Sequence, residues 1–245
     1  VKERGDERQL RIDLAASLRL AARFGWTEAV ANHFSAAVSD DGRKFLVNPR
    51  WVHFSNVRAS DLVLCDADDP DTMTRPDAPD PSAWSIHSAI HRRCPHGRVA
   101  MHLHPVHATA LAGLKDPSLK PIDQNTARFF NRVAIDTEFG GIATAEDEGE
   151  RIASVVGNHS AVMMGNHGVT TLGATVAEAY DRMYYLERAA RTLVIAYSTG
   201  QPLAVMSDEL AEKTASDWDD YKGAEDAHFA EMKRILDRED PSYAD

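Results

Sequence analysis

Apolar residues at Leu10, Leu14, Leu18 and Ala21 or Ala22 recur at helical spacing and predict an amphipathic helix over Arg8 to Phe24, ending at Gly25. The period then shortens to two. Phe34 to Val38 and Lys44 to Val47 flank a polar Ser-Asp-Asp-Gly turn and read as a hairpin. The Asp- and Pro-rich run from Asp66 to Ser82 reads as a loop. Trp84 to Arg93 is patterned as a helix and Val99 to His104 as a strand, which Pro105 stops while opening a short helix to about Leu111. Thr144-Ala-Glu-Asp147 has the form of a capping box, with Asp in place of Glu, for a helix that Gly157 closes. Ala161 to Met164 and Val169 to Leu172 are strand-like on either side of a Gly-Asn-His-Gly turn. A second capping box at Thr175 to Glu178 starts one long helix to Gly200. Strands alternate with helices, without repeats or low-complexity segments. The pattern predicts one α/β domain over residues 1–206 and an acidic, mostly helical tail over 207–245.

Composition narrows what such a domain can do. Hydrophobic residues make up 43% of the 245, enough for a large core, yet no apolar run approaches the roughly 20 residues needed to cross a bilayer. No membrane role is expected. The charged start, Val1-Lys-Glu-Arg4, lacks the form of an export signal, and Cys65 and Cys94 form no paired metal or disulfide pattern. A cytoplasmic protein is the expectation. The net charge of -11 sets a nucleic-acid partner aside, because the protein's own field would oppose it. Thirteen acidic against five basic residues between Ser207 and Asp245 make the tail a solvated charged surface or an arm for a neighbouring subunit.

Six of the eleven histidines fall between Trp84 and Ala110. On a strand, His102 and His104 point to one face, so their imidazoles can converge on one ion. A catalytic divalent metal commonly takes three protein ligands. His167, flanked by Gly165 and Gly168 where backbone can approach closely, is the natural third. The residues alone leave two alternatives standing. These are strand-end histidines satisfied by neighbouring carbonyls, and a rival pair, His87 and His91, at i, i+4 on a helix. Of that pair, His87 is expected to face the pocket and His91 the helix surface.

Asn-His-Phe-Ser-Ala-Ala-Val from Asn32, Phe-Leu-Val-Asn-Pro from Phe45, the histidine-rich stretch from Ile86, Met-Met-Gly-Asn-His-Gly-Val from Met163 and the helix from Thr175 together resemble the class II aldolase/adducin family. The resemblance spans about Leu10 to Gly200. It implies a three-layer α/β/α sandwich around a mainly antiparallel sheet, a homotetramer with active sites between subunits, and His102, His104 and His167 as ligands to one divalent metal ion per subunit. Zinc, manganese, iron and cobalt all suit three imidazoles. Two departures qualify it. Ala83 stands where the sugar-phosphate aldolases of the family carry their acid/base Glu, and Arg50 and Trp51 stand where small residues cradle phosphate. His33 takes the place of a phosphate-binding Asn. These changes resemble the adducin-like branch, whose structural member adducin keeps a non-enzymatic assembly role in view.

A carbon–carbon lyase without that Glu is expected to act as a decarboxylase, because an ionised acid needs no base to start bond cleavage. The expected substrate is a small-molecule carboxylate, a hydroxylated aromatic or heteroaromatic acid. Arg50 would pair with a second carboxylate, Trp84 would stack on the ring, and water, His33 or His87 would return a proton. The alternative lyase is an aldolase or retro-aldolase on a non-phosphorylated hydroxy-keto acid. His107 is expected to be a bystander or a neighbour of the ligands, and Arg128 a surface charge.

Overall fold

The computed structural model describes residues 2–142 and 146–245, the side chains of residues 2–6, 70 and 146 excepted. Helix α1 (Lys2–Arg23) buries Leu14 and Leu18 completely and ends where Gly25 turns left-handed at φ +69°. Strands β1 (His33–Ala37) and β2 (Lys44–Val47) form the expected antiparallel hairpin. The chain continues through β3 (Val63–Asp66), α2 (Pro81–Arg93), β4 (Val99–Leu103), α3 (Val106–Ala112), α4 (Gln124–Ala127), β5 (Val133–Asp136), α5 (Glu146–Val156), β6 (Ala161–Met164) and β7 (Gly168–Gly173). It closes with α6 (Val176–Ser198), α7 (Asp208–Asp220) and α8 (Ala224–Glu239).

The strands form one sheet in the order β3-β2-β1-β4-β7-β6-β5, antiparallel throughout except for the β5/β6 pair. Alternation along the strands sends Phe34, Val99, Met101 and Leu103 into a core shared with α1, α3, α6 and α8. The opposite face carries Ala100, Val162 and Leu172 under Ile86 and Ile90 of α2 and Ile152 and Val156 of α5. Helices on both faces of a mainly antiparallel sheet make the three-layer α/β sandwich.

Three local outcomes refine the sequence pattern. The two strands it leaves unassigned, β3 and β5, are the sheet's two edges, each paired on one side only. Helix α2 starts inside the Asp/Pro-rich run, because Asp80 caps it by accepting from the Ser82 amide and Pro81 supplies the first helical φ. The capping box at Thr144 lies outside the described residues.

Residues 207–245 form two helices and a final turn, and Phe229, Leu236 and Tyr243 enter the same core as α1 and α6. Arg128 is a correction. Instead of standing on the surface, its guanidinium pairs with the buried Asp181 carboxylate at 2.5 Å and lies over the rings of Tyr185 and Trp218. His228 of α8 also bonds Asp181, at 2.7 Å, so the acid ties the last helix to α6 and α4. Among the described residues no helix is long and apolar enough to cross a membrane.

Candidate functional site

A cavity of about 570 Å³ opens at one end of the sheet, where β1 begins, β4 ends, β6 turns into β7 and α2 starts. His102 is the last histidine within β4, His104 follows the strand's end, and His167 sits in the β6/β7 turn. Their ligand atoms all lie within 4.8 Å of one another. The turn is built for this approach. A Cβ at Gly168 would stand 2.5 Å from the His104 ring, and one at Gly165 2.8 Å from the Asp136 carbonyl.

The outer nitrogens of two of these rings are already engaged. His102 Nδ1 faces the Val169 carbonyl at 3.1 Å, and His104 Nδ1 faces a Glu28 carboxylate oxygen at 2.5 Å. An N–H on each Nδ1 leaves both Nε2 atoms as bare acceptors, 3.0 Å apart. Two lone pairs so placed repel unless a cation lies between them. Burial, aided by the neighbouring imidazoles, holds His102 well below its ordinary pKa and takes His167 down to about 4. His102 and His167 are therefore neutral near pH 7, the state in which imidazole binds a metal. This donor set fits a divalent ion, and the Glu28–His104 bond is the kind of outer contact that fixes a ligand's tautomer.

A second row of histidines runs away from the cavity. His33 pairs in register with His102 across β1 and β4, and its ring stacks on that of His102 at 4.9 Å. Its Nε2 lies 3.2 Å from Ser82 Oγ and its Nδ1 2.8 Å from His87 Nε2. His87 Nδ1 meets Ser35 Oγ at 2.5 Å, which also meets His91 Nε2 at 2.8 Å. Counting protons gives the row one direction. Ser82 donates its single proton to Asp80, so it accepts from His33 Nε2–H. His33 Nδ1 then accepts from His87, His87 Nδ1 from Ser35, and Ser35 from His91. Burial lowers His33 well below its usual range and takes His87 and His91 to about 3, so all three rings are neutral.

The expected residues therefore separate. His33, Arg50, His102, His104 and His167 line the cavity together. His87 does not; it is fully buried behind His33. His91 is buried as well, not on the helix surface, because residues four apart on α2 share a face and an inward His87 carries His91 with it. Trp84 belongs to that inward face too. It stacks on Phe45 among Cys65, Ala67 and Ala83 and does not reach the cavity. His107 turns away to Glu187, whose carboxylate accepts from its Nδ1 and from two backbone amides at the start of α3.

Ala83 lines the cavity wall. Among the described residues two carboxylates line it and both are occupied: Glu28 by His104, and Asp80 by Ser82 and, at 3.3 Å, by Arg50 Nε. Sequence reasoning missed Glu28, which lies in a stretch without period and meets a partner 76 residues away. It also left Trp51 without a role, although its indole, 63% exposed, lines the cavity and lies under the Arg50 guanidinium at 4.5 Å.

Several known proteins are similar to this chain. A putative aldolase class 2 protein of Caulobacter vibrioides is 33% identical over 98% of this chain and 93% of its own. Decarboxylase NovR of Streptomyces niveus is 28% identical over 88% of this chain and 82% of its own. The crystal structure of an aldolase II superfamily protein from Pseudomonas syringae superposes with a TM-score of 0.88 at 31% identity, covering 98% of this chain and 96% of that one. Residues 12–194 match the family described as the Class II Aldolase and Adducin N-terminal domain, and the chain belongs to that family.

Proposed function

We propose that the cavity is the active site of a metal-dependent carbon–carbon lyase that decarboxylates a hydroxylated aromatic or heteroaromatic acid. The observation that carries this choice is Ala83. The wall position beside the imidazoles holds no proton-transfer group, and both carboxylates that line the cavity among the described residues already have partners. Similarity to a protein named as a decarboxylase supports the same choice. One divalent ion per subunit, zinc, manganese, iron or cobalt, held by His102, His104 and His167, would supply a Lewis acid for the charge that cleavage leaves on the substrate.

The chain's own residues do the rest. Arg50 offers a guanidinium to an anionic group on the substrate. Loss of carbon dioxide leaves an electron pair on carbon, and water admitted through the mouth returns the proton, oriented by His33 at the cavity wall. His87 acts through His33, occupying its Nδ1 so that its proton stays on Nε2. It is a positioning residue. Four-fold assembly, with the mouth at a subunit boundary, belongs to the same proposal; Phe139 and Ile142, at 50% and 82% exposure, line that mouth.

The experiment is metal analysis of protein never exposed to chelator, followed by carbon dioxide release from a panel of hydroxylated benzoic, phthalic and pyridine carboxylic acids. One ion per chain and release from at least one acid are expected. No stoichiometric ion would overturn the proposal. Aldehyde formation from hydroxy-keto acids, without carbon dioxide, would replace the decarboxylase with an aldolase.

A further inference from the structure

Five non-glycine residues among those described hold a left-handed backbone, and three of them, Asn32, Trp51 and Asn166, line the cavity. Asparagine tolerates that conformation because its short amide bonds locally. Tryptophan does not, and a bulky residue at φ +63° is a genuine outlier. Such strain persists where surrounding structure enforces it, and it clusters at binding sites.

The enforcing contacts are visible. Asn48 accepts from the Phe34 amide at 2.9 Å and so fixes the segment leading to Trp51 against β1. Arg50 bridges outward, with Nε 3.3 Å from Asp80 and its guanidinium carbon 4.5 Å from the centre of the indole. Asp80 is itself held by the first turn of α2 through Ser82. The indole is thus a plate fixed beside a cation, yet it is mostly exposed and buries little of its own surface. A strained, exposed tryptophan does little for the fold. Its worth has to come from something it contacts.

We propose that Trp51, with Arg50, is the specificity-determining clamp of this site: the indole face takes the flat ring of the substrate and the guanidinium takes an anionic substituent. Trp51 thereby assumes the role that its burial denies Trp84. The inference rests on the cavity being a site for hydroxylated aromatic acids and selects planar acids over saturated ones of equal charge.

The test uses the full chain with zinc, in wild-type, Trp51→Gly and Trp51→Phe forms. Calorimetry measures binding of 2-hydroxybenzoate and of its saturated counterpart, 2-hydroxycyclohexanecarboxylate. Wild type should prefer the planar acid. Trp51→Gly should lose about three- to tenfold in affinity for it, the worth of one aromatic pair, with no change for the saturated acid, while Trp51→Phe recovers most of the loss. Because glycine accepts the left-handed backbone, Trp51→Gly should melt at or above the wild-type temperature. Equal binding of the planar acid by wild type and Trp51→Gly overturns the clamp, as does failure of wild type to bind it. A glycine variant that melts several degrees lower or changes assembly state makes Trp51 a structural or interface residue and also overturns it. Selective binding without carbon dioxide release from any planar acid leaves the clamp standing and removes the decarboxylase instead.

Discussion

Two groups of three histidines meet where His33 stacks on His102, and they differ in what their nitrogens have left to offer. In His102, His104 and His167 the ligand atoms converge within 4.8 Å, and the outer nitrogens of His102 and His104 are turned to acceptors, which leaves lone pairs facing inward. In His33, His87 and His91 the rings form a line, and five of their nitrogens are linked to serine or to the next ring. Residue type does not separate them, and His102 is buried like every ring of the second group. The distinction is geometric: a cation needs unspent lone pairs meeting at one point, and only the first group supplies them.

The sharpest way to break this comparison is to remove one ring from each group. His102→Ala should take metal content from one ion per chain to none measurable by elemental analysis, and carbon dioxide release with it. His91→Gln, whose amide can still donate to Ser35, should keep the full ion. If metal followed His91 as closely as His102, the two groups would not be separate. A smaller effect is expected from Glu28→Gln. It keeps a partner for His104 Nδ1–H but removes the charge, and loss of such an outer contact typically costs about 10- to 100-fold in metal affinity. Unchanged zinc affinity in a competition titration would show that the Glu28 bond does not tune the ligand.

The first group was partly legible in the sequence, and the second was not. A period of two along Val99 to His104 puts His102 and His104 on one face whatever the rest of the chain does. His167 needed the family resemblance as well as its flanking glycines. The line of His33, His87 and His91 depends on how α2 lies over β1, a tertiary register that no local period encodes. Even so, the i, i+4 spacing of His87 and His91 already ties their fates together. The two tryptophans make the same point. Hydrophobicity ranks Trp51 and Trp84 equally, and only the fold puts Trp84 at 6% exposure and Trp51 at 63%. Among the main elements, the long helices and the five inner strands were readable from their apolar runs, whereas the two edge strands, each paired on one side only, were not.

The smallest expected effect sharpens the comparison through pH. Burial takes His91 from about 6.5 in the unfolded chain to about 3 in the native one. Above pH 6.5 the ring is neutral in both states and its contribution to stability is complete. As pH falls from 6.5 towards 3 the unfolded chain binds a proton that the native ring refuses, so stability declines by up to ~1.4 kcal/mol per pH unit for this one group. His91→Gln removes a titrating ring but leaves His102, His104 and His167 untouched, so any pH dependence that those rings bring is common to both proteins and cancels in their difference. Urea unfolding at a series of pH values should show wild type losing stability faster than the variant between about pH 6 and pH 4, with parallel curves above pH 7. Parallel curves throughout would mean that His91 is not held neutral in the native chain, and the line of three neutral rings would then have to be redrawn from Ser35 outward.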